Sequence, residues 1–215
     1  MTIENRRPLA SRQTGWATAL TRWLAATPIT PNQISLASIG AAMLAGAAFW
    51  AAGYTTGLPR AALLILGAIG CQLRLLCNLL DGMVAIEAGR GTPDGAFWNE
   101  LPDRISDMVI LVGLGLGLGV PALGWAAAAF AVLTAYVREL GVNAGAGADF
   151  SGPMAKPHRM ALVTGAAIMS LAEPLLGWHG QILHAALWVV AVGAALTALR
   201  RSMHLMARLK GKTDA

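Results

Sequence analysis

Amide and carboxylate side chains recur at helical spacing in one short segment of the chain. Asn78 and Asp81 lie one helical turn apart, and Asn99, Asp103 and Asp107 follow at successive steps of four residues. Residues three or four apart share one face of a helix, so these side chains would form two polar strips. Strips that face each other would make a polar cage at the edge of the bilayer.

The sequence around this segment is that of an integral membrane protein. Hydrophobic residues make up 56% of the chain and charged residues 13%, with a mean hydropathy of +0.57, whereas charged residues are about 25% of an ordinary soluble domain. Six apolar stretches are each long enough to cross a hydrocarbon core of ~30 Å. They cover about 33–52, 61–82, 97–119, 124–142, 160–176 and 182–203. Because none alternates apolar and polar residues like a barrel strand, we expect an all-α bundle of six transmembrane helices.

An amphipathic segment precedes the first of these stretches. Residues 14–26 place Trp16, Leu20, Trp23 and Leu24 on one helical face. This pattern predicts an interfacial helix that lies on the membrane surface. An ordinary aromatic anchor at the start of the bundle would have the same geometry, so both interpretations stay open.

The basic residues predict the orientation of the bundle. With six spans both termini share a side, and the opposite loops contain only Arg60 as a basic residue. The basic residues on the side of the termini are Arg6, Arg7, Arg12, Arg22, Arg90, Lys156, Arg159, Arg200, Arg201, Arg208, Lys210 and Lys212. The positive-inside rule then places both termini in the cytoplasm, with 1–32 as an N-terminal segment, 33–205 as the membrane domain and 206–215 as a basic tail. Anionic lipid headgroups account for the net charge of +5, so no nucleic acid partner is required.

A run of alternating glycine and leucine, residues 113–119, lies inside the third apolar stretch. A glycine-rich run can belong to a nucleotide-binding loop, but that loop follows a strand and this one does not. Small residues within a transmembrane helix let a neighbouring helix approach closely. We therefore expect the run to mark a tight contact between helices.

The polar segment resembles the signature of the CDP-alcohol phosphotransferases, membrane enzymes of phospholipid synthesis. That signature runs Asp, two residues, Asp-Gly, two residues, Ala-Arg, eight residues, Gly, three residues, Asp, three residues, Asp. The same frame, with every spacing preserved, is occupied here by Asn78, Asp81-Gly82, Ala85-Ile86, Gly95, Asn99 and Asp103. The motif Ile29-Thr30-Pro31-Asn32-Gln33 also looks like the family's approach to its first span. The resemblance covers roughly residues 27–205.

The resemblance implies a metal site in this frame. In the family, four acidic residues hold a divalent metal against the pyrophosphate of a CDP-linked donor, and the last of them is the general base. Carried over by position, the metal-binding residues are Asn78, Asp81, Asn99 and Asp103, with Asp103 as the base and Mg²⁺ or Mn²⁺ as the cofactor. Phosphoryl transfer depends mainly on positioning and charge neutralisation, which such a cage supplies.

The resemblance also implies the reaction and its setting. Gly82, Ala85 and Gly95 would let the nucleotide lie directly on the helices. The implied activity is transfer of a phosphatidyl group from CDP-diacylglycerol, or a related CDP-alcohol, to a small polar alcohol with release of CMP. Many members are dimers, so a homodimer is expected. The active site is expected at the cytoplasmic face of a membrane, in a bacterium its inner membrane.

Three positions depart from the family pattern. Asn78 and Asn99 replace carboxylates, and Ile86 replaces an arginine. The cage then carries two negative charges instead of four, which predicts either one tightly held metal or weaker binding that depends on the substrate. A catalytically silent or repurposed relative would show the same replacements. A small-solute transporter would carry its polar residues near the bilayer midplane, whereas these cluster at predicted cytoplasmic ends.

Basic residues near the fourth and fifth spans indicate a site for the acceptor. Family members that use a phosphorylated alcohol hold its phosphate with basic residues in this region, which implies Arg138, Lys156 and Arg159 here. The positive-inside bias explains Lys156 alone equally well. Arg138 lies inside an apolar span, where an unpaired arginine costs a few kcal/mol. Glu139 would point roughly 100° away around the helix and is predicted to be a poor partner.

One contact is predicted from helix direction. The second span runs toward the cytoplasm and the third away from it, so Arg74 and Asp107 each lie one turn deeper than the cage. An unpaired charge at that depth would be costly. We therefore expect an Arg74–Asp107 ion pair that closes the floor of the cage and orients Asn78 and Asp103.

Overall fold

The computed structural model describes residues 14–213, which are almost entirely helical. The helices are α1 Gly15–Ala25, α2 Pro31–Ala52, α3 Gly57–Glu87, α4 Gly95–Gly117, α5 Pro121–Asn143, α6 Lys156–Met169, a 3₁₀ helix Ser170–Leu176 that continues α6, and α7 Gln181–Thr213. Arg6, Arg7 and Arg12, which entered the orientation argument, lie outside the described residues, as does the side chain of Lys212. The all-α prediction is confirmed for the described part.

Five helical segments are long and apolar enough to cross a membrane: α2, α3, α5, α6 with its 3₁₀ extension, and α7. The protein is therefore an integral membrane protein. Helix α4 is not one of these five because it carries four charged residues toward its start: Glu100, Asp103, Arg104 and Asp107. The charged residues that exclude α4 from this group thus include Asp103 and Asp107, which belong to the polar strip predicted from the sequence.

Helix α2 begins at the motif singled out in the sequence. The side chain of Thr30 accepts a hydrogen bond from the Gln33 amide at 3.2 Å, and the Thr30 amide donates to Gln33 Oε1 at 2.9 Å. This reciprocal capping box, with Pro31 at the first helical position, starts the helix at a defined residue. It thereby fixes where Ser35, one turn further on, stands relative to α3.

Helices α2 and α4 touch backbone to backbone. A Cβ atom added to Gly113 would lie 2.3 Å from the Gly46 carbonyl oxygen, and one added to Gly117 would lie 2.2 Å from the Phe49 carbonyl oxygen. No side chain fits at these positions, so glycine is required for the approach. The close packing predicted from the glycine–leucine run is confirmed. It seats the polar start of α4 beside α2 and α3.

The core lies in the middle of the bundle, and the polar clusters lie toward its ends. Leu64, Ile110, Leu114 and Leu187 are fully buried members of one apolar cluster. Charged groups are buried around Arg60 at the start of α3 and around Arg74 just past its middle. These regions are separated by about 20 Å along the helix axis at ~1.5 Å per residue.

Candidate active site

A cavity of about 230 Å³ opens between the start of α2, the end of α3 and the start of α4. Asp81 and Asn99, from the two predicted polar strips, both line it, and so do Asn32 and Ser35 of α2. The contribution of α2 was not predicted from the sequence, although Asn32 belongs to the motif at the start of that helix. The cavity thus presents one carboxylate surrounded by neutral oxygen-bearing side chains.

Asp81 is held in place by neutral donors. The Ser35 hydroxyl donates to its Oδ2 at 2.7 Å, and the Gly82 amide donates to its Oδ1 at 2.5 Å. Asp81 has no cationic side chain within salt-bridge distance in residues 14–213. A carboxylate that is oriented but not neutralised can bind a cation.

The three positions assigned to the nucleotide line the same cavity. These are Gly82, Ala85 and Gly95. A Cβ atom added to Gly82 would meet no other atom within 4 Å, so the backbone there faces open space. Ile86, which stands where the family has arginine, lines the cavity as well, together with Arg90 one turn further on.

Arg90 was counted in the sequence only as a loop charge. Its Nη1 donates to the carbonyl oxygens of Thr27 at 2.8 Å and Ile29 at 3.2 Å. These contacts tie the loop after α3 to the approach to α2. Near the same loop, hydrogen bonds from Thr92 and Trp98 hold the pKa of Asp94 below its ordinary value. The rim of the cavity is therefore a hydrogen-bonded structure.

Asn78 and Asp103, the other two cage positions, are bridged by Lys156. The Lys156 ammonium donates to Asn78 Oδ1 and to Asp103 Oδ2. Neither Asn78 nor Asp103 is among the residues that line the cavity. The predicted cage is therefore divided into an open half at Asp81 and Asn99 and a half that contains a lysine.

The expected contact between Arg74 and Asp107 is present. Arg74 Nη2 lies 2.7 Å from Asp107 Oδ1 and also donates to the Asp103 carbonyl oxygen at 3.1 Å. Arg159 Nη2 lies 2.5 Å from the other oxygen of Asp107, a contact that the sequence argument missed. Arg159 also donates to the Met154 carbonyl oxygen at 2.8 Å and is only 3% exposed. Asp107 is therefore clamped between two guanidinium groups.

Arg138 is paired, and the prediction about Glu139 was wrong. Arg138 Nε donates to Glu139 Oε1 at 2.9 Å, and its Nη2 lies 2.6 Å from the same oxygen. The two side chains leave the helix in different directions, but both are long and flexible enough to meet. Arg138 Nη2 also donates to Glu100 Oε2, which accepts a second hydrogen bond from Arg104 Nη2. The assignment of Arg138, Lys156 and Arg159 to an acceptor phosphate stays a prediction, and all three are engaged with other side chains.

Several buried polar atoms of this region have no hydrogen-bond partner within the described part of the chain. They are Arg74 Nε and Nη1, Asn78 Nδ2, Asp103 Oδ1, Ser106 Oγ and Arg159 Nε. Buried polar groups are nearly always satisfied, so such a concentration marks spare bonding capacity.

The donor set fits a divalent cation at the open half of the cage. No group of three or more His, Cys, Asp or Glu side chains that could hold a metal occurs in the described residues. The oxygens of Asp81, Asn99, Ser35 and Asn32 around the cavity are nevertheless hard ligands suited to Mg²⁺ or Mn²⁺. With a single carboxylate among them, such an ion would draw further ligands from water or from a bound phosphate.

Known proteins resemble this chain in sequence and in fold. A phosphatidylinositol phosphate synthase of Mycolicibacterium smegmatis is 30% identical over 181 residues, which are 80% of this chain and 76% of the relative. Two crystal structures of the Mycobacterium tuberculosis phosphatidylinositol phosphate synthase superpose with a TM-score of 0.72 at 22% identity, covering 88% of this chain. One, covered to 88%, contains manganese and citrate, and the other, covered to 92%, contains CDP-DAG. At this identity the structural likeness concerns the fold. No model of a protein family matches the chain.

Proposed function

The chain belongs to the CDP-alcohol phosphotransferase family, and from this premise we propose that it transfers a phosphatidyl group from CDP-diacylglycerol to a phosphorylated small alcohol, releasing CMP. The acceptor class follows from the name of the relatives, which form phosphatidylinositol phosphate. Inositol phosphate is therefore the first acceptor to test. The protein is an integral membrane transferase of phospholipid synthesis.

The cavity that contains Asp81 is the observation on which this proposal rests. It combines an oriented carboxylate, neutral oxygen ligands and a glycine backbone open to solvent, next to helices long enough to lie in the bilayer. A nucleotide diphosphate needs hard-cation binding and close backbone approach, and its lipid tail needs an apolar surface. These requirements coincide at one end of α3.

The chain's own residues would act mainly by binding and orientation. Asp81 and Asn99 would hold Mg²⁺ or Mn²⁺, which supplies charge neutralisation at the donor's pyrophosphate. Gly82, Ala85 and Gly95 would support the nucleotide. Asp103 would accept the proton of the acceptor hydroxyl as its oxygen attacks the phosphorus next to the lipid. The bond from that phosphorus to the CMP oxygen breaks, and CMP leaves with the electron pair.

The position of the site supports a cytoplasmic active site in a six-span bundle. Helix α4 packs against α2 and α5 along its apolar second half, which supports counting it as the sixth span despite its charged start. The exposed Trp16 and Trp23 of α1 support an interfacial helix. With the basic residues on the side of the termini, the cavity would face the cytoplasm of a bacterial inner membrane. A homodimer stays a prediction.

The test is a transfer assay with purified protein in detergent. Labelled CDP-diacylglycerol is incubated with Mg²⁺ or Mn²⁺ and with inositol phosphate, glycerol phosphate, inositol or glycerol. We expect CMP release that requires both the metal and a phosphorylated acceptor. Release with the unphosphorylated alcohols at equal rate would contradict the acceptor class. No release with any acceptor would contradict the transferase proposal and favour a silent relative.

A further inference from the structure

Lys156 occupies a place in the cage that a cation would be expected to fill. Its ammonium group bonds one oxygen from each of two signature positions, Asn78 and Asp103. It is the first residue of α6, and the packing of α6 on α3 brings it there from 53 residues away in sequence. Its side chain is 32% exposed, whereas that of Asp103 is 8% exposed. The ammonium group thus bridges the two positions and caps a nearly buried carboxylate.

The charges on the two halves of the cage differ. Asp103 has Lys156 on one oxygen, and Arg74 Nη2 lies 3.5 Å from the other. Asp81, by contrast, contacts only neutral hydrogen-bond donors among residues 14–213. Arg104 Nη1 also lies 3.9 Å from Asp103 Oδ2. A dication beside Asp103 would therefore face three positive groups, whereas one beside Asp81 would face a carboxylate with unbalanced charge.

The total charge of the cage is too small for two divalent ions. The four carboxylates of the family frame carry four negative charges, which balance two divalent cations. Among the four signature positions and Lys156, Asp81 and Asp103 carry two negative charges and Lys156 one positive charge, which leaves −1, far too little to balance two divalent cations. An amide at Asn78 is matched to this arrangement, because its carbonyl oxygen accepts from an ammonium group without a charge of its own. The replacement at position 78 and the lysine at position 156 thus have one common explanation.

We propose that the Lys156 ammonium replaces one of the two divalent cations that a four-carboxylate cage would hold. The protein then binds a single Mg²⁺ or Mn²⁺ at Asp81 and Asn99, while Lys156 neutralises the half formed by Asn78 and Asp103. This inference rests on the proposed transferase function and specifies the metal content of its site.

The test counts bound metal in the full-length protein. Wild type in detergent, saturated with CDP-diacylglycerol and without acceptor, is titrated with Mn²⁺, and bound ions are counted by equilibrium dialysis and electron paramagnetic resonance. We expect one Mn²⁺ per chain in wild type and in Lys156→Arg. The double variant Asn78→Asp/Lys156→Met should bind two, with a spectrum broadened by coupling between ions roughly 4 Å apart.

The number of Mn²⁺ ions bound by the wild type tests the single-ion proposal even if the double variant does not fold. Two ions per wild-type chain, or none, would overturn the single-ion site. CMP release from the same wild-type samples after addition of inositol phosphate separates this inference from the function. Release with two bound ions would remove the inference and keep the transferase. One bound ion without release from any acceptor would keep the single-ion site and remove the transferase.

Discussion

Two buried ion clusters lie along α3, one at its start and one just past its middle, and they differ in how completely their atoms are bonded. At the start of α3, Glu173 accepts hydrogen bonds from Arg60 Nη2 at 2.8 Å and from the amides of Gly180 at 2.7 Å and Ile182 at 2.8 Å. Both of its carboxylate oxygens are satisfied. This cluster joins α3, the 3₁₀ helix and the start of α7, and none of its residues lines the cavity that contains Asp81.

The cluster just past the middle of α3 is incompletely bonded. Asp107 is satisfied by Arg74 and Arg159, but both guanidinium groups keep unpaired nitrogens, and Asp103 keeps an unpaired oxygen within the described chain. It lies behind the cavity that contains Asp81. A saturated buried ion pair stabilises the packing of helices, whereas spare bonding capacity next to a cavity indicates a site that binds or orients something else.

The largest effect is expected at the cavity itself. Asp81→Asn removes the only carboxylate among the residues that line it. We expect CMP release to fall by about 10³-fold. The metal ion stabilises the negative charge that develops on the donor's phosphates, and without the Asp81 carboxylate that ion is no longer held in position. The rate is measured with saturating Mg²⁺. Asp149→Asn, which changes a carboxylate in the loop between α5 and α6 that does not line the cavity, is the matched control and should keep its rate. Undiminished release by Asp81→Asn would remove the metal assignment.

The next effect should combine stability with activity. Asp107→Asn leaves Arg74 and Arg159 buried without their shared carboxylate, which should destabilise the protein by about 3–5 kcal/mol. The rate of CMP release should also fall by roughly 10–100-fold, because Arg74 orients Asp103. Thermal unfolding in detergent and the transfer assay measure the two quantities. A loss of stability with no loss of rate in the folded fraction would make this cluster equivalent to the one at Glu173.

Glu173→Gln should affect stability alone. The variant leaves Arg60 buried beside a neutral amide, and we expect a loss of about 3 kcal/mol. CMP release per folded molecule should stay at the wild-type rate because the cluster is remote from the cavity. Arg60→Met/Glu173→Met should recover part of the stability in the same unfolding experiment. If CMP release by fully folded Glu173→Gln were slower than that of the wild type, the two clusters would not differ in the way proposed.

The smallest effect is expected at Asp149, in the loop between α5 and α6. Burial raises its pKa, but hydrogen bonds from Ser151 and His204 outweigh burial and hold the pKa below its ordinary value. The stabilising contribution is therefore present above the unfolded-state pKa of about 3.9 and is lost as the pH falls through the lower folded-state pKa. Asp149→Asn should cost about 1 kcal/mol at neutral pH. The difference in unfolding free energy between wild type and variant should shrink toward zero as the pH falls through the folded-state pKa of Asp149.

Local features of the sequence determined the helices and one polar strip on each of two of them. Apolar length, the capping motif at Thr30 and the glycine run all act through neighbours along the chain or along one helix face, so they could be read without a structure. The spacing from Asn78 to Asp103 was equally local, and it identified the family. Even the Arg74–Asp107 contact could be anticipated, because antiparallel direction fixes relative depth once two helices are known to be adjacent.

Apart from the Arg74–Asp107 pair, only the tertiary structure decided which charges meet. Lys156 reaches Asp103 across 53 residues, Arg159 reaches Asp107 across 52, and Arg60 reaches Glu173 across 113. These contacts depend on which helices pack together and on long flexible side chains, neither of which has a periodic signature. That is why the division of the cage into a half that contains Lys156 and a half open to the cavity could not be read from the residues that form it.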